Sequence, residues 1–259
     1  MAAPSNTLGG VGMPLAPPTG MRTTTLLAWA VALLAVAPAF AGSTGSVTGT
    51  VRIAGKPPTR PLLPVFKHEE VCGKGVVDDR LVVSQAGGVR WAVVTIEGVP
   101  AGTPSAVTDP SVVLDNVGCR FSPHVLVAEV GQTLELHNSD PILHNADARR
   151  GPETVFNLAL PPNRMARQKL DRPGTLAVTC DVRHSWMSGF VVVAENPFHT
   201  TTDAFGAYQI DDVPAGTYTI RFWHEELGTK EQTVTIEPGQ VAVLDLVYPA
   251  APEKAAAEH

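Results

Sequence analysis

The sequence lacks the excess of positive charge that binding to nucleic acid requires. Its 19 lysine and arginine residues stand against 25 aspartate and glutamate residues, which gives a formal net charge of −6 at pH 7. Affinity for nucleic acid depends on neutralising backbone phosphates, and anionic membrane surfaces attract clustered basic residues. The charge balance therefore favours neither partner.

Helix patterns and catalytic signatures are also scarce. We find no nucleophile elbow, glycine-rich phosphate loop or zinc-hydrolase motif. Short runs with alternating apolar and polar residues, such as Tyr218, Ile220 and Phe222 between Thr219 and Arg221, are typical of half-buried strands. The 23 glycines and 23 prolines supply many turns between such runs. We therefore predict an all-β protein with two sandwich units that is not an enzyme.

The first 41 residues resemble an export signal. A short basic region around Arg22 precedes the apolar run 26–36, which is too short to span a bilayer, and Ala39 and Ala41 form a small-x-small cleavage site. We predict a signal peptide over 1–41, with Met21 as a possible true start. The mature chain, without a transmembrane segment, is expected to be periplasmic or secreted.

Only three cysteines are present, an odd number for an exported protein. One thiol stays unpaired after any disulfide forms. We assign Cys72 and Cys119 as the disulfide pair and Cys180 as a metal-binding thiolate. The alternative is that Cys180 is a buried free thiol of the core.

The stretch 180–187 concentrates metal-binding side chains directly after an apolar strand. Cys180, His184 and Met187 lie within eight residues, and His144 follows another strand upstream. A cysteine, two histidines and a weak methionine are the ligand set of a mononuclear blue-copper site. The hypothesis is that these four residues bind one copper ion. The alternative is a metal-free sandwich in which Cys180 and Met187 are core residues.

Neighbouring residues suggest how the ligands are supported. Asn145, next to His144, is expected to hydrogen-bond across the loops and hold the ligand ring. Trp186 is expected to pack beside Met187 and limit the access of water. His68, close to Glu69 and Glu70, is interpreted as part of a solvated polar cluster, with a second metal site as the alternative.

Several segments resemble a cupredoxin. Residues 120–127, 130–136 and 138–144 are similar to its front half, and residues 180–187 are similar to its back half, within a region of roughly 91–195. The resemblance implies a Greek-key β-sandwich, one copper ion and one-electron transfer with a redox partner protein such as a cytochrome or an oxidoreductase. The Cys-x3-His-x2-Met spacing differs from plastocyanin and is similar to the dinuclear site of cytochrome oxidases. The first cysteine of that site would fall at Leu176.

The C-terminal part resembles a second family. Residues 202–208 and 213–218 are similar to carboxypeptidase regulatory-like and rhamnogalacturonan-lyase middle domains, which are non-catalytic prealbumin-like sandwiches. Residues 45–58 have a similar opening. The predicted divisions are listed in chain order: signal peptide 1–41, N-terminal β extension 42–90, cupredoxin-like domain 91–195, regulatory-like β-sandwich 196–248 and disordered tail 249–259.

Three functions follow from these patterns. The first is an exported one-electron carrier or electron-transfer module that binds copper. The second is a non-redox binding or scaffold module. Such a module would dock a protein or a glycan, or would hold copper, and a sandwich without any metal is one form of this alternative. The third is a copper redox enzyme with an open coordination position, against which the methionine argues.

Overall fold

The structure is a computed structural model that describes residues 43–100, 103 and 109–250. The predicted signal peptide and all but the first two residues of the predicted tail lie outside this part of the chain. None of the helices in the described ranges is long and apolar enough to cross a membrane.

Strands make up almost all of the regular structure between residues 43 and 250, which confirms the predicted all-β class. The N-terminal elements are β1 (Thr44–Ile53), β2 (Leu62–Pro64), α1 (Glu69–Cys72), β3 (Gly75–Val77) and β4 (Val93–Glu97). The next are β5 (Ser111–Asn116), β6 (Phe121–Ser122), β7 (Val125–Glu129), β8 (Thr133–Asn138), β9 (His144–Arg150), β10 (Glu153–Leu160), β11 (Met165–Lys169), β12 (Gly174–Thr179) and β13 (Ser188–Ala194). The last are β14 (His199–Thr201), β15 (Ala207–Pro214), β16 (Gly216–His224), β17 (Gly228–Ile236), β18 (Val241–Val243) and β19 (Leu246–Tyr248).

The first sandwich consists of two sheets around one apolar core. A five-stranded sheet has the order β10-β9-β12-β13-β7, and a four-stranded sheet has the order β11-β8-β5-β6. Alternate residues of each strand point inward, as the pleat requires. Leu134 and Leu136 of one sheet and Leu176 and Val178 of the other are almost fully buried in the shared core. The short hairpin of β2 and β3 adds Val76 to the same core.

The second sandwich combines strands from both ends of the described chain. Its sheets have the orders β15-β1-β18, with β19 also pairing with β1, and β14-β4-β16-β17. Val51, Ile96, Ile220, Phe222 and Tyr248 are almost fully buried between them. The first sandwich is therefore inserted between two parts of the second.

The strand pairing divides the chain differently from the predicted boundaries at 90/91 and 195/196. β1, placed in an N-terminal extension, pairs with β15, and β4, placed in the cupredoxin-like domain, pairs with β14 and β16. The alternation of apolar and polar residues predicts that one face of each strand is buried against another sheet. It does not indicate which strands form that sheet. The similar opening noted at 45–58 coincides with β1, which completes the second sandwich.

The two sandwiches meet through buried polar and aromatic groups. His124 Nε2 and Glu225 Oε1 are hydrogen-bonded across the contact, and the two side chains are only 5% and 8% exposed. The rings of Phe190 and Trp223 stack edge to face with centroids 5.2 Å apart. This contact fixes the end of β16 against β13, the strand that follows the predicted metal-binding stretch.

Gly206 is required where β1 passes the turn before β15. Its φ of +81° lies in the left-handed region, and an added Cβ would lie 2.3 Å from the carbonyl oxygen of Val51. We expect Gly206→Ala to lower the free energy of unfolding by about 2–4 kcal/mol, because backbone strain and overpacking add. Denaturant unfolding measures this loss.

Gly228 provides the matched control. It has a φ of +75° but open space around its missing Cβ, so Gly228→Ala should lose only the strain of about 1–2 kcal/mol. Equal losses in the two variants would contradict the close approach of Gly206 to β1.

We expect the free energy of unfolding to depend on pH because of two buried histidines of the second sandwich. Burial lowers the pKa of His199 and of His224 to about 4 from the ordinary 6.5. Between those values the unfolded chain binds more protons than the folded protein, so stability falls as the pH falls. We expect each histidine to contribute a loss of about 2 kcal/mol between pH 6.5 and 5. Urea unfolding of the protein and of His224→Gln should show a shallower dependence in the variant, and identical slopes would contradict the prediction.

Candidate metal centre

Two strand ends bring three of the predicted ligands together. His144 is the first residue of β9, and Cys180 directly follows β12. β9 and β12 are antiparallel neighbours, with Thr179 opposite Asp147. This pairing carries Cys180 to the end of the sheet where His144 lies. His184 arrives from the loop between β12 and β13.

The donor atoms of these three residues form a compact cluster. Cys180 Sγ lies 3.8 Å from His144 Nδ1 and 3.6 Å from His184 Nδ1, and the two Nδ1 atoms are 3.0 Å apart. Donors that each lie about 2.0–2.3 Å from one metal ion are separated by roughly this distance at trigonal or tetrahedral angles. The donor set fits one ion that accepts a thiolate and two imidazoles.

A second cluster of metal-binding residue types shares His144 but does not fit a metal. It consists of Cys119, Asp140 and His144. Cys119 is joined to Cys72 in a disulfide, with Cα atoms 5.4 Å apart, so it has no thiolate to offer. Cys72 and Cys119 are the pair assigned from the sequence, and Cys180 is the free cysteine.

Met187 ends the loop beside the cluster. Its side chain is 1% exposed and belongs to the same buried core as Cys180. Its backbone N–H donates to the carbonyl oxygen of His184 over 2.8 Å, which makes a tight turn immediately before β13. Met187 is therefore buried at the end of the loop that carries His184, and its coordination to a metal stays a prediction.

Asn145 connects the two parts of the site. Its side-chain oxygen accepts the backbone N–H of Asp181 over 2.6 Å, and its amide donates to Asn157 Oδ1 over 2.8 Å. Asn145 thus joins β9, β10 and the loop after Cys180. The hydrogen bond to Asp181 is the contact across the loops that we expect from the sequence.

Trp186 covers one side of His184. The ring centroids are 5.2 Å apart, and the indole N–H donates to the carbonyl oxygen of Cys119 over 3.1 Å. Trp186 is only 8% exposed, so it separates His184 from solvent on that side.

Asp140, which directly precedes Pro141, is a site residue that the sequence interpretation missed. One of its oxygens, Oδ2, lies 3.0 Å from His144 Nε2, and the carboxylate also accepts the backbone N–H groups of Gly118 and Cys119 over 2.7 and 2.8 Å. An acceptor at Nε2 places the proton there and leaves Nδ1 free as a ligand. An aspartate four residues before the histidine was the available signal.

His68 is the second residue that the sequence interpretation missed. Its ring packs edge-on against His184, with centroids 5.5 Å apart, and its side chain is 31% exposed. His68 Nδ1 lies 3.2 Å from Glu70 Oε1, in keeping with the interpreted polar cluster, but the contact of its ring with His184 lies outside that interpretation. Spacing in the sequence gave no signal, because His68 approaches from the segment that precedes the first sandwich's strands.

Burial governs the protonation of the donor groups. It lowers the pKa of His184 to about 4, with the positive charges of His144, His68 and Lys67 acting in the same direction. Burial also lowers the pKa of His144, against the effect of the hydrogen bond that its ring donates to Asp140. It raises the pKa of the Cys180 thiol, although the backbone N–H groups of Asn145 and Val182 oppose that rise. The metal-free site is therefore kept uncharged, and a cation would favour the thiolate.

Comparisons with known proteins find both families that the sequence resembles. A model of the carboxypeptidase regulatory-like domain matches residues 181–248. No curated protein matches the chain.

Among solved structures, a purple cupredoxin from Nitrosopumilus maritimus is 23% identical over 33% of this chain and 100% of its own, with a TM-score of 0.29. A reduced amicyanin variant is 24% identical over 39% of this chain and 98% of its own, with a TM-score of 0.30. A copper-containing nitrite reductase from Thermus scotoductus SA-01 is 28% identical over 38% of this chain, with a TM-score of 0.31, and the match spans 25% of that chain.

The role of Asp140 can be tested by Asp140→Asn. The amide offers one acceptor oxygen where the carboxylate offers two, so it cannot accept both the backbone N–H groups and the His144 ring. We expect copper affinity, measured by competition with a chelator, to fall on the order of 10–100-fold.

Asp115→Asn serves as the control. Asp115 also accepts a backbone N–H, that of Ser139 next to Asp140, over 3.1 Å, but its hydrogen bonds among the described residues do not involve His144, Cys180 or His184. Equal affinities in the two variants would contradict a positioning role for Asp140.

Proposed function

We propose that this chain binds one copper ion through His144, Cys180, His184 and Met187 and carries single electrons outside the cytoplasm. The observation that supports the proposal is the separation of 3.0–3.8 Å among one thiol sulfur and two imidazole nitrogens. A thiolate with two histidines and a weak axial methionine is the donor set of blue-copper electron-transfer sites.

Copper bound at this site would supply the one-electron redox couple Cu(II)/Cu(I). The contribution of the chain is to hold the donors in one arrangement for both states. The hydrogen bonds of Asp140 fix the His144 ring, and those of Asn145 fix the loop that carries Cys180. Little rearrangement is then needed when an electron enters or leaves, which favours fast transfer.

The burial of the cluster favours a carrier over an enzyme. His144 and His184 are 0% exposed, Cys180 is 3% exposed, and Met187 packs in the same core at 1%. A substrate would need an open position at the metal, whereas these side chains leave the donor atoms covered by protein. We infer that the chain exchanges electrons with a redox partner protein and does not transform a small molecule at the metal.

The second sandwich would act as a structural and docking unit in this function. Glu225 contacts His124, which directly precedes β7, and Trp223 packs against Phe190 of β13, so the second sandwich is attached at both places. We infer that it holds the metal-binding sandwich in a fixed orientation for the partner, in the periplasm or in secreted form.

Replacing Cys180 by Ser tests the ligand set. The hydroxyl of serine keeps the size but cannot give the sulfur-to-copper charge transfer, so we expect the copper-loaded variant to lose the intense visible absorption band. Met187→Leu is the matched control from the same loop. It conserves the volume of a buried side chain and should keep an intense band while the reduction potential changes. Unchanged absorption in Cys180→Ser would remove Cys180 from the site, and a band absent from the unmodified protein would favour the non-redox scaffold function.

A further inference from the structure

The covering of His184 differs on its two sides. Its Nδ1 faces the donor cluster, 3.0 Å from His144 Nδ1. Its Nε2 faces away, is buried, and has no hydrogen-bond partner among the described residues. Besides His144, the rings of Trp186 and His68 pack against His184. The exposed fractions of Trp186 and His68 indicate which of the two rings faces solvent.

His68 is the ring that packs against His184 and also reaches solvent. Trp186 is 8% exposed and uses its indole N–H in a hydrogen bond to Cys119. The His68 side chain is 31% exposed and still packs edge-on against His184. One side of the His68 ring thus contacts the metal-binding histidine, while another side contacts water.

His68 belongs to a segment, residues 65–72, that is fastened at both ends; we call it the strap. Val65 is 5% exposed and packs in the core of the first sandwich. At the other end, Cys72 is buried and bonded to Cys119. Phe66, between these anchors, is 76% exposed, so the strap passes over the site on the outside of the core.

The strap also fixes the position of the His68 ring locally. The carbonyl oxygen of His68 accepts the backbone N–H groups of Val71 and Cys72 over 2.9 and 2.8 Å. Its Nδ1 lies 3.2 Å from Glu70 Oε1. The backbone has a φ of +60°, in the left-handed region, which histidine adopts more readily than most residues. The ring is therefore held in place by the short helix that follows it.

We propose that His68 determines which redox molecules can exchange electrons with the metal centre, because its ring closes the solvent side of His184. This inference rests on the proposed function. Small soluble oxidants would be kept at the distance of one ring from His184, whereas a partner protein that contacts the strap would reach the centre through that ring. His68 is a specificity-determining residue and does not bind the metal.

The test measures the oxidation of the reduced, copper-loaded protein by hexacyanoferrate(III) in a stopped-flow instrument. One electron passes from the copper centre to the iron complex, which becomes hexacyanoferrate(II). We expect His68→Gly to react severalfold faster than the unmodified protein. Glycine suits the backbone φ of +60°, so the ring is removed without strain. Removing a histidine adds no positive charge, so attraction of the anionic oxidant would not explain a faster reaction.

Two further variants keep the test decisive. His68→Asn also suits a left-handed backbone and shortens the side chain, so it should react faster as well. His137→Ala is the control, because His137 is likewise half-exposed, at 36%, and pairs with Glu135 at 3.4 Å. It should react at the unmodified rate.

The outcomes separate this inference from the proposed function. If the unmodified protein shows no copper absorption band, the proposed function fails and this inference fails with it. If the band is present in all variants and His68→Gly and His68→Asn react at the unmodified rate or more slowly, the proposed function stands and the shielding role of His68 is overturned.

Discussion

The structure depends on keeping a thiol and two imidazoles within 4 Å of one another in a dry interior. Buried ionised groups are costly unless they are paired, and burial here moves the pKa of His144 and His184 down and that of Cys180 up. All three groups are thereby driven to their uncharged forms without a metal. A metal cation would reverse this preference for the thiol, because its positive charge stabilises the thiolate.

The backbone groups of Cys119 contact residues that position both imidazoles. Its N–H donates to Asp140, which accepts the His144 ring, and its carbonyl oxygen accepts the indole N–H of Trp186, which packs on His184. The disulfide from Cys119 to Cys72 also anchors the strap that carries His68. One covalent link thus supports the environment of both histidines, a role that a disulfide can fulfil where β-strand pairing alone leaves loops free.

The features that were predicted from the sequence are those written in local patterns. Alternating residues predicted the all-β class. The placing of Cys180 and His184 after one strand, with His144 after another, predicted which three residues the structure brings together. The features that were not predicted depend on partners distant in the chain. The pairing of β1 and β4 with the second sandwich, and the approach of His68 to His184, require a three-dimensional arrangement that alternation does not encode. Asp140 lay close enough to His144 to be considered, but its turn chemistry with Pro141 offered a sufficient local explanation.

The most direct test of a mononuclear copper centre is copper titration of the chain from Gly42 onward, followed by electron paramagnetic resonance of the oxidised form. We expect binding of one equivalent of copper per chain and the signal of a single Cu(II) ion with strong thiolate character. Failure to bind a stoichiometric equivalent, or the signal of a dinuclear centre, would contradict it.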